Sequence, residues 1–228
     1  MGWDEAIFGW FHGAWRGMRA PRATAALLER RVALETQRDR LQWLSSAIAE
    51  RSITVREAEA DGGWQGDVLL LPAHLDMAAT RAGNERAYLV RAVWASYARP
   101  LARRLRPLLE SPRARVWATA FLAEPVLRQM RAELPGAARP CVALTRSLLL
   151  ERAGQPASSA QAQFERWIAR AVGLGIECEI GPPDLSFEAF MERTASLEGA
   201  LPVFPLFGAI GTEPAHGQSV SGAGDADA

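Results

Sequence analysis

The feature that most constrains this chain is a change of hydrophobic period inside one continuous stretch. Residues 62–107 read GGWQGDVLLLPAHLDMAATRAGNERAYLVRAVWASYARPLARRLRP. Apolar residues first run together over Val68–Leu71 and stop at Pro72, as in a short strand. After a polar connector they return every three or four residues at Val90, Val93, Trp94, Tyr97 and Leu101, as on one face of a helix. Thr80 can cap that helix, expected from Arg81 to about Ala98. Pro100 is expected to kink or end it, because proline lacks a backbone donor and crowds the preceding turn. Upstream, Ile53 and Val55 alternate with Thr54 and Arg56, and Asp61-Gly62-Gly63 can turn the chain. The pattern predicts one β-hairpin over about Ile53–Leu71, followed by a helix that buries an aromatic stripe and exposes an arginine face.

The remainder has helical period. A long helix is expected over Ala25–Arg51, with Leu27, Leu34, Leu41 and Ile48 seven apart. Arg31 and Arg38 interrupt that seam, which favours packing in a bundle over a free coiled coil. Val116–Leu134 reads as a helix kinked near Pro125 and ended by Pro135-Gly136, and Val142–Arg152 as another. Ser158 with Gln161 resembles a capping box for a helix to Val172, terminated by Gly173. Ile176–Ile180 reads as a short strand. Ser186 or Asp184 then caps a last helix bearing Phe187 and Phe190, closed by Gly199. No fixed-period self-similarity supports a repeat array. The expected fold is mainly α: a multi-helix bundle with one small hairpin, forming a single domain over residues 1–210. Residues 211–228 have no aromatics and are expected to form a disordered tail, since they cannot bury enough surface to offset ordering.

The N-terminal stretch WDEAIFGWFHGAWRGM spaces Trp3, Ile7, Trp10, Phe11, Ala14 and Met18 at helical intervals, with Trp15 on a flank. Such an amphipathic helix either docks onto the protein's own core or faces a partner or a membrane surface. Trp3, Trp10 and Trp15 are therefore candidate partner-binding residues. Only Arg16 and Arg19 add positive charge nearby, which disfavours the membrane variant.

Composition removes several chemistries. Of 228 residues, 49% are hydrophobic and 23% charged, ordinary values for a globular protein. The net charge of zero gives no global attraction to nucleic acid or anionic membrane. All 26 basic residues are arginine, so neither a Walker A lysine nor a pyridoxal Schiff-base lysine can exist. Cys141 and Cys178 are too few for a disulfide framework, and no secretory signal or membrane-spanning run is evident, so a cytoplasmic setting is expected. His12, His74 and His216 lie far apart and offer no metal-ligand spacing with the cysteines. G-x-S-x-G is absent, and Gly173-Leu174-Gly175 follows a helix and lacks a third glycine, so it is no dinucleotide fingerprint. Glu57, Glu59 and Asp61 read as solvated charge on the hairpin. No catalytic, cofactor-binding or metal-binding residue is assigned, and no cofactor is expected.

One constellation stands out. Arg91, Arg99, Arg103, Arg104 and Arg106, with Arg113 and Arg115, concentrate positive charge in a neutral protein. Guanidinium forks suit carboxylates and phosphates. The cluster is either a solvated face balanced by acidic neighbours or a docking patch. No recognition helix or aromatic–basic sheet accompanies it, so an acidic protein surface is a better expected partner than nucleic acid.

The stretch from Gly62 also resembles the N-terminal region of NorD/CbbO-type proteins. There a Gly-Trp-x-Gly turn leads into a strand ending in Leu-Pro, and an Asn-x-x-x-Tyr pattern opens a helix. Here those features are Gly63, Trp64, Gly66, Leu71, Pro72, Asn84 and Tyr88. The aromatic N-terminal helix and the proline-punctuated LPVFPLFGAIG segment are similar too. The resemblance implies a non-enzymatic adaptor that partners a MoxR-type AAA+ ATPase and couples it to a client enzyme such as nitric oxide reductase or Rubisco. Such proteins carry a C-terminal von Willebrand A domain with an Asp-x-Ser-x-Ser metal site. Asp184-Leu185-Ser186-Phe187-Glu188 lacks the second serine, and Val93, Trp94 and Ser96 stand where relatives can carry histidines. The chain stops where that domain would begin, so a stand-alone module, or a von Willebrand A domain supplied elsewhere, is implied. The alternatives are a small-molecule enzyme whose site gathers scattered residues such as His74, Tyr88 and Cys141, or a helical DNA-binding protein.

Overall fold

The computed structural model describes residues 25–58, 62–152, 158–174, 185–201, 203–208 and 210. The expected Trp3–Met18 helix, the strand over Ile176–Ile180 and the tail lie outside them, as do His12, His216, Cys178, Glu59 and Asp61.

In chain order the elements are α1 (Ala25–Arg30), β1 (Val32–Ala33), α2 (Arg38–Ala49), β2 (Thr54–Ala58), β3 (Gly63–Gln65), β4 (Val68–Pro72) and β5 (His74–Leu75), followed by five further helices. These are α3 (Arg81–Leu105), α4 (Pro112–Glu133), α5 (Pro135–Arg152), α6 (Ser159–Ala171) and α7 (Phe187–Thr194). The fold is mainly α, with two small sheets among the described residues. α3 is its axis: it packs against α2, α4 and α5. Every residue from Val90 to Arg99 is buried, so this part of the helix has no solvent side. Trp117 on α4 meets Phe164 of α6 and Phe190 of α7 edge-on, and Trp167 meets Phe190 at 4.9 Å, which seats the last helix. One apolar cluster joins these contacts from Val32 to Ile210.

The sheet corrects the expected Ile53–Leu71 hairpin. β4 lies in the middle of the order β2-β4-β3, parallel to β2 and antiparallel to β3. Two reversals separate β2 from β4, so they run the same way, with Val55 opposite Leu69. The hairpin is the shorter β3–β4 pair, turned at Gly66 with φ 57°. Gly62, ahead of it, has φ 79°, and a Cβ there would sit 2.3 Å from the Leu70 carbonyl oxygen. Only glycine lets the chain enter the sheet at this point.

The expected Ala25–Arg51 helix is also broken. Val32 and Ala33 pair antiparallel with Leu75 and His74, and the Leu34 amide donates to the Ala73 carbonyl at 2.8 Å. The Arg30 carbonyl accepts from Asn84 Nδ2 at 2.9 Å, satisfying a helix end that otherwise lacks a partner. Val32 and Leu34 are fully buried by this detour.

The prolines fall inside or between these helices. α3 runs through Pro100 to Leu105, and Pro125 lies inside α4. Pro100 is exposed, and it leaves the Ser96 carbonyl without its usual helical donor. The helix α4 ends at Glu133, just before Pro135 as expected, and Pro135 also opens α5, since a first-turn residue needs no amide donor. The expected caps are present: Thr80 Oγ1 accepts from the Gly83 amide, Ser158 Oγ from Gln161 and Ser186 Oγ from Ala189. Gly173 follows α6 with φ 72°, whereas α7 ends at Thr194, ahead of Gly199.

Candidate functional site

The β3–β4 hairpin lies on α3, and the residues singled out in the Gly-Trp-x-Gly and Asn-x-x-x-Tyr patterns meet there. Trp64 Nε1 donates to the Ala95 carbonyl at 2.8 Å, deep inside the fold. The Tyr88 hydroxyl donates to the Pro72 carbonyl at 2.7 Å, tying the end of β4 to the same helix. Burial raises the Tyr88 phenol well above its ordinary range, so it acts as a donor throughout the usual pH range. Asn84, fully buried, closes the connector: its Oδ1 accepts from the Ala78 amide, and its Nδ2 donates to the carbonyls of Arg30, Ala78 and Thr80. Gly63 sits in β3 opposite Leu70, and Gly66 turns the hairpin. These six residues form a clamp between sheet and helix.

Arginine completes the clamp. The Arg99 guanidinium lies 4.7 Å from the centre of the Trp64 ring. It donates to the Gly66 carbonyl and to Asp67 Oδ1, the same oxygen that Arg51 pairs with. Arg51, and then Arg99, hold the Asp67 carboxyl below the usual carboxylate range. Burial lowers the Arg99 pKa, and Asp67 partly offsets this. Arg91, eight residues earlier and so nearly on the same face, donates to the Pro205 carbonyl. Arg113 and Arg115 are also engaged, with the carbonyls of Leu197 and Gly199 and with that of Leu109.

The expected arginine face is therefore divided. Arg91 and Arg99 are 4% and 6% exposed and look inward. Arg103, Arg104 and Arg106 are exposed at the C-terminal end of the helix. Arg103 and Arg104 make no ion pair or side-chain hydrogen bond among the described residues. Trp3, Trp10 and Trp15 lie outside those residues.

A cleft opens beside the clamp, lined mainly by apolar side chains such as Leu69, Leu71 and Trp94, with Arg91 and Arg99. His74, Tyr88 and Cys141 do not line it. Cys141 is fully buried on α5, and burial pushes its thiol up to about 12, which suppresses the thiolate a nucleophile requires. Among the described residues no group of three or more His, Cys, Asp and Glu is arranged to hold a metal. No described helix is long and apolar enough to cross a membrane.

Sequence reasoning missed two features. Trp43 is 77% exposed on α2, because it falls off the Leu34–Leu41–Ile48 seam. Residues 203–208 pack against α3 and α4: the Phe207 ring stacks on Trp94 at 4.6 Å, and Thr119 Oγ1 donates to the Gly208 carbonyl. The density of apolar residues in VFPLFGAI was the available signal. Comparison with protein-family models, with curated proteins and with solved structures gives no match.

Proposed function

We propose that this chain is a non-enzymatic adaptor that docks onto an acidic protein surface through Arg103, Arg104 and Arg106. The observation that carries the proposal is their placement: Arg103 and Arg104 extend, without an internal counter-charge among the described residues, from the end of a helix that is buried all round over Val90–Arg99. A rigid support of that kind reduces the ordering cost of binding, and guanidinium forks favour carboxylates. The partner class follows from the resemblance carried by Gly63, Trp64, Gly66, Pro72, Asn84 and Tyr88: a MoxR-type AAA+ ATPase and its client enzyme, of the nitric oxide reductase or Rubisco type.

The test is binding of the full chain to a purified MoxR-type ATPase from the same organism. The triple reversal Arg103→Glu, Arg104→Glu and Arg106→Glu should weaken binding by at least about tenfold, since like-charge contacts replace attractive ones. Wild-type binding should weaken with added salt. Unchanged affinity in the folded variant would sink the docking patch, and no binding by the wild type would sink this choice of partner.

A further inference from the structure

We propose that Arg51, Arg99 and Arg103 form a binding site for a phosphate ion beside the Gly66–Asp67 turn. Two parts of the fold supply the cations. Arg51 stands just after α2, and Arg99 and Arg103 lie one turn apart on α3, hence on one face of that helix. Arg51 and Arg99 converge on a single oxygen, Asp67 Oδ1. The Gly66 carbonyl accepts from the same Arg99 nitrogen.

This arrangement is short of acceptors. A guanidinium presents several N–H donors in a fixed fork. Among the described residues, Asp67 Oδ1 is the one side-chain partner of Arg51, and Arg103 makes no ion pair or side-chain hydrogen bond. Charge is unbalanced at the same place. Arg51 and Arg103 both lie close enough to Arg99 for their positive charges to be felt there, and Asp67 is the carboxylate that pairs with Arg51 and Arg99. Three guanidinium charges therefore face one paired carboxylate. The rim is open to solvent, with the Arg51 and Asp67 side chains 40% and 49% exposed.

The ligand that fits brings several oxygens pointing in different directions and nearly a double negative charge. Phosphate has both near neutral pH, whereas a carboxylate offers one planar edge and a single charge. The site is also held ready. Buried Arg99, under the Trp64 ring, anchors Asp67, and Asp67 in turn holds Arg51 at the rim. A cation fixed in this way loses less freedom when an anion arrives. The site shares Arg103 with the docking patch and goes beyond it at Arg51, so the two readings can be separated.

The probe is sodium phosphate titrated into the full chain by isothermal calorimetry at constant ionic strength, with sodium acetate as the reference anion. Phosphate should bind saturably, and acetate at least about tenfold more weakly. Arg103→Ala breaks no side-chain bond within the described residues and should weaken phosphate binding at least about tenfold. Arg51→Ala should do the same while leaving binding of the ATPase unchanged, and Arg104→Ala should leave phosphate binding unchanged. Equal affinity for acetate and phosphate would overturn the site. So would phosphate binding that survives Arg103→Ala, or an equal loss in Arg104→Ala, which would reveal a diffuse positive surface. Phosphate binding in the wild type does not depend on the ATPase, so either proposal can fail alone.

Discussion

The middle and the C-terminal end of α3 carry the same residue type to opposite effect. Toward its middle, Arg91 and Arg99 lie in the fold and bond the backbone of the C-terminal segment and of the hairpin. At its C-terminal end, Arg103 and Arg104 stand in solvent without a counter-charge among the described residues. Burial separates a structural arginine from one available to a partner, and position in the primary sequence does not. The same use of arginine recurs elsewhere: the Arg146 fork bonds the Val172 and Gly173 carbonyls after α6, and Arg131 reaches the Ala171 carbonyl. In a chain without lysine, the cation that caps helix ends is arginine, whose fixed fork reaches two carbonyls at once.

The sharpest way to break the comparison is to remove what the buried end holds. Trp64→Ala should cost about 3–5 kcal/mol by equilibrium denaturation, through a lost aromatic core contact and the lost indole hydrogen bond to the Ala95 carbonyl. Trp64→Phe keeps most of the packing and should cost only about 1–2 kcal/mol, which would isolate the indole hydrogen bond. Arg99→Ala should come next, at about 2 kcal/mol, since it removes a stacked guanidinium and a charge-assisted hydrogen bond together. A stability unchanged by Arg99→Ala would put that residue in the same class as Arg103.

A pH series examines the same contact more finely. The Asp67 pKa is lowered in the folded state, so its contribution is present above the unfolded carboxylate range and is lost as pH falls through the lower folded value. The urea midpoint of the wild type should therefore fall more steeply below about pH 4 than that of Asp67→Asn. Parallel curves would show that Arg51 and Arg99 are indifferent to the charge on Asp67. The smallest effect belongs to the exposed end: Arg103→Ala with Arg104→Ala should change stability by no more than about 0.5 kcal/mol per site, with its consequence appearing in partner binding alone.

How far the sequence discloses this arrangement depends on the range of the interactions involved. Helix starts at Thr80, Ser158 and Ser186 are legible because a cap is settled within three residues. The mainly α class is legible for the same reason, through apolar period. The break after Arg30 is not, since Val32 leaves the helix to pair with Leu75 on a strand far along the chain. The parallel pairing of β2 with β4 is hidden because Gly63-Trp64-Gln65, without alternation, reads as a turn and is in fact the edge strand. Gly63, Trp64, Pro72, Asn84 and Tyr88 can be picked out as a pattern, but their meaning as a clamp appears only when Trp64 meets Ala95 and Tyr88 meets Pro72. The division of the arginines had a faint signal. Ala95, Ala98 and Ala102 share the face of Arg91 and Arg99, and small side chains there mark where another backbone approaches. An arginine face and an alanine face on one helix side cannot both be solvated.

That division is tested most directly by modifying the native full chain with an arginine-selective dicarbonyl and reading each site by mass spectrometry, with and without the ATPase. Arg103 and Arg104 should react fast in the free chain and become protected on binding, while Arg91 and Arg99 stay protected in both. Equal reactivity of all four in the free chain, or protection by the partner that leaves Arg103 and Arg104 untouched, would contradict it.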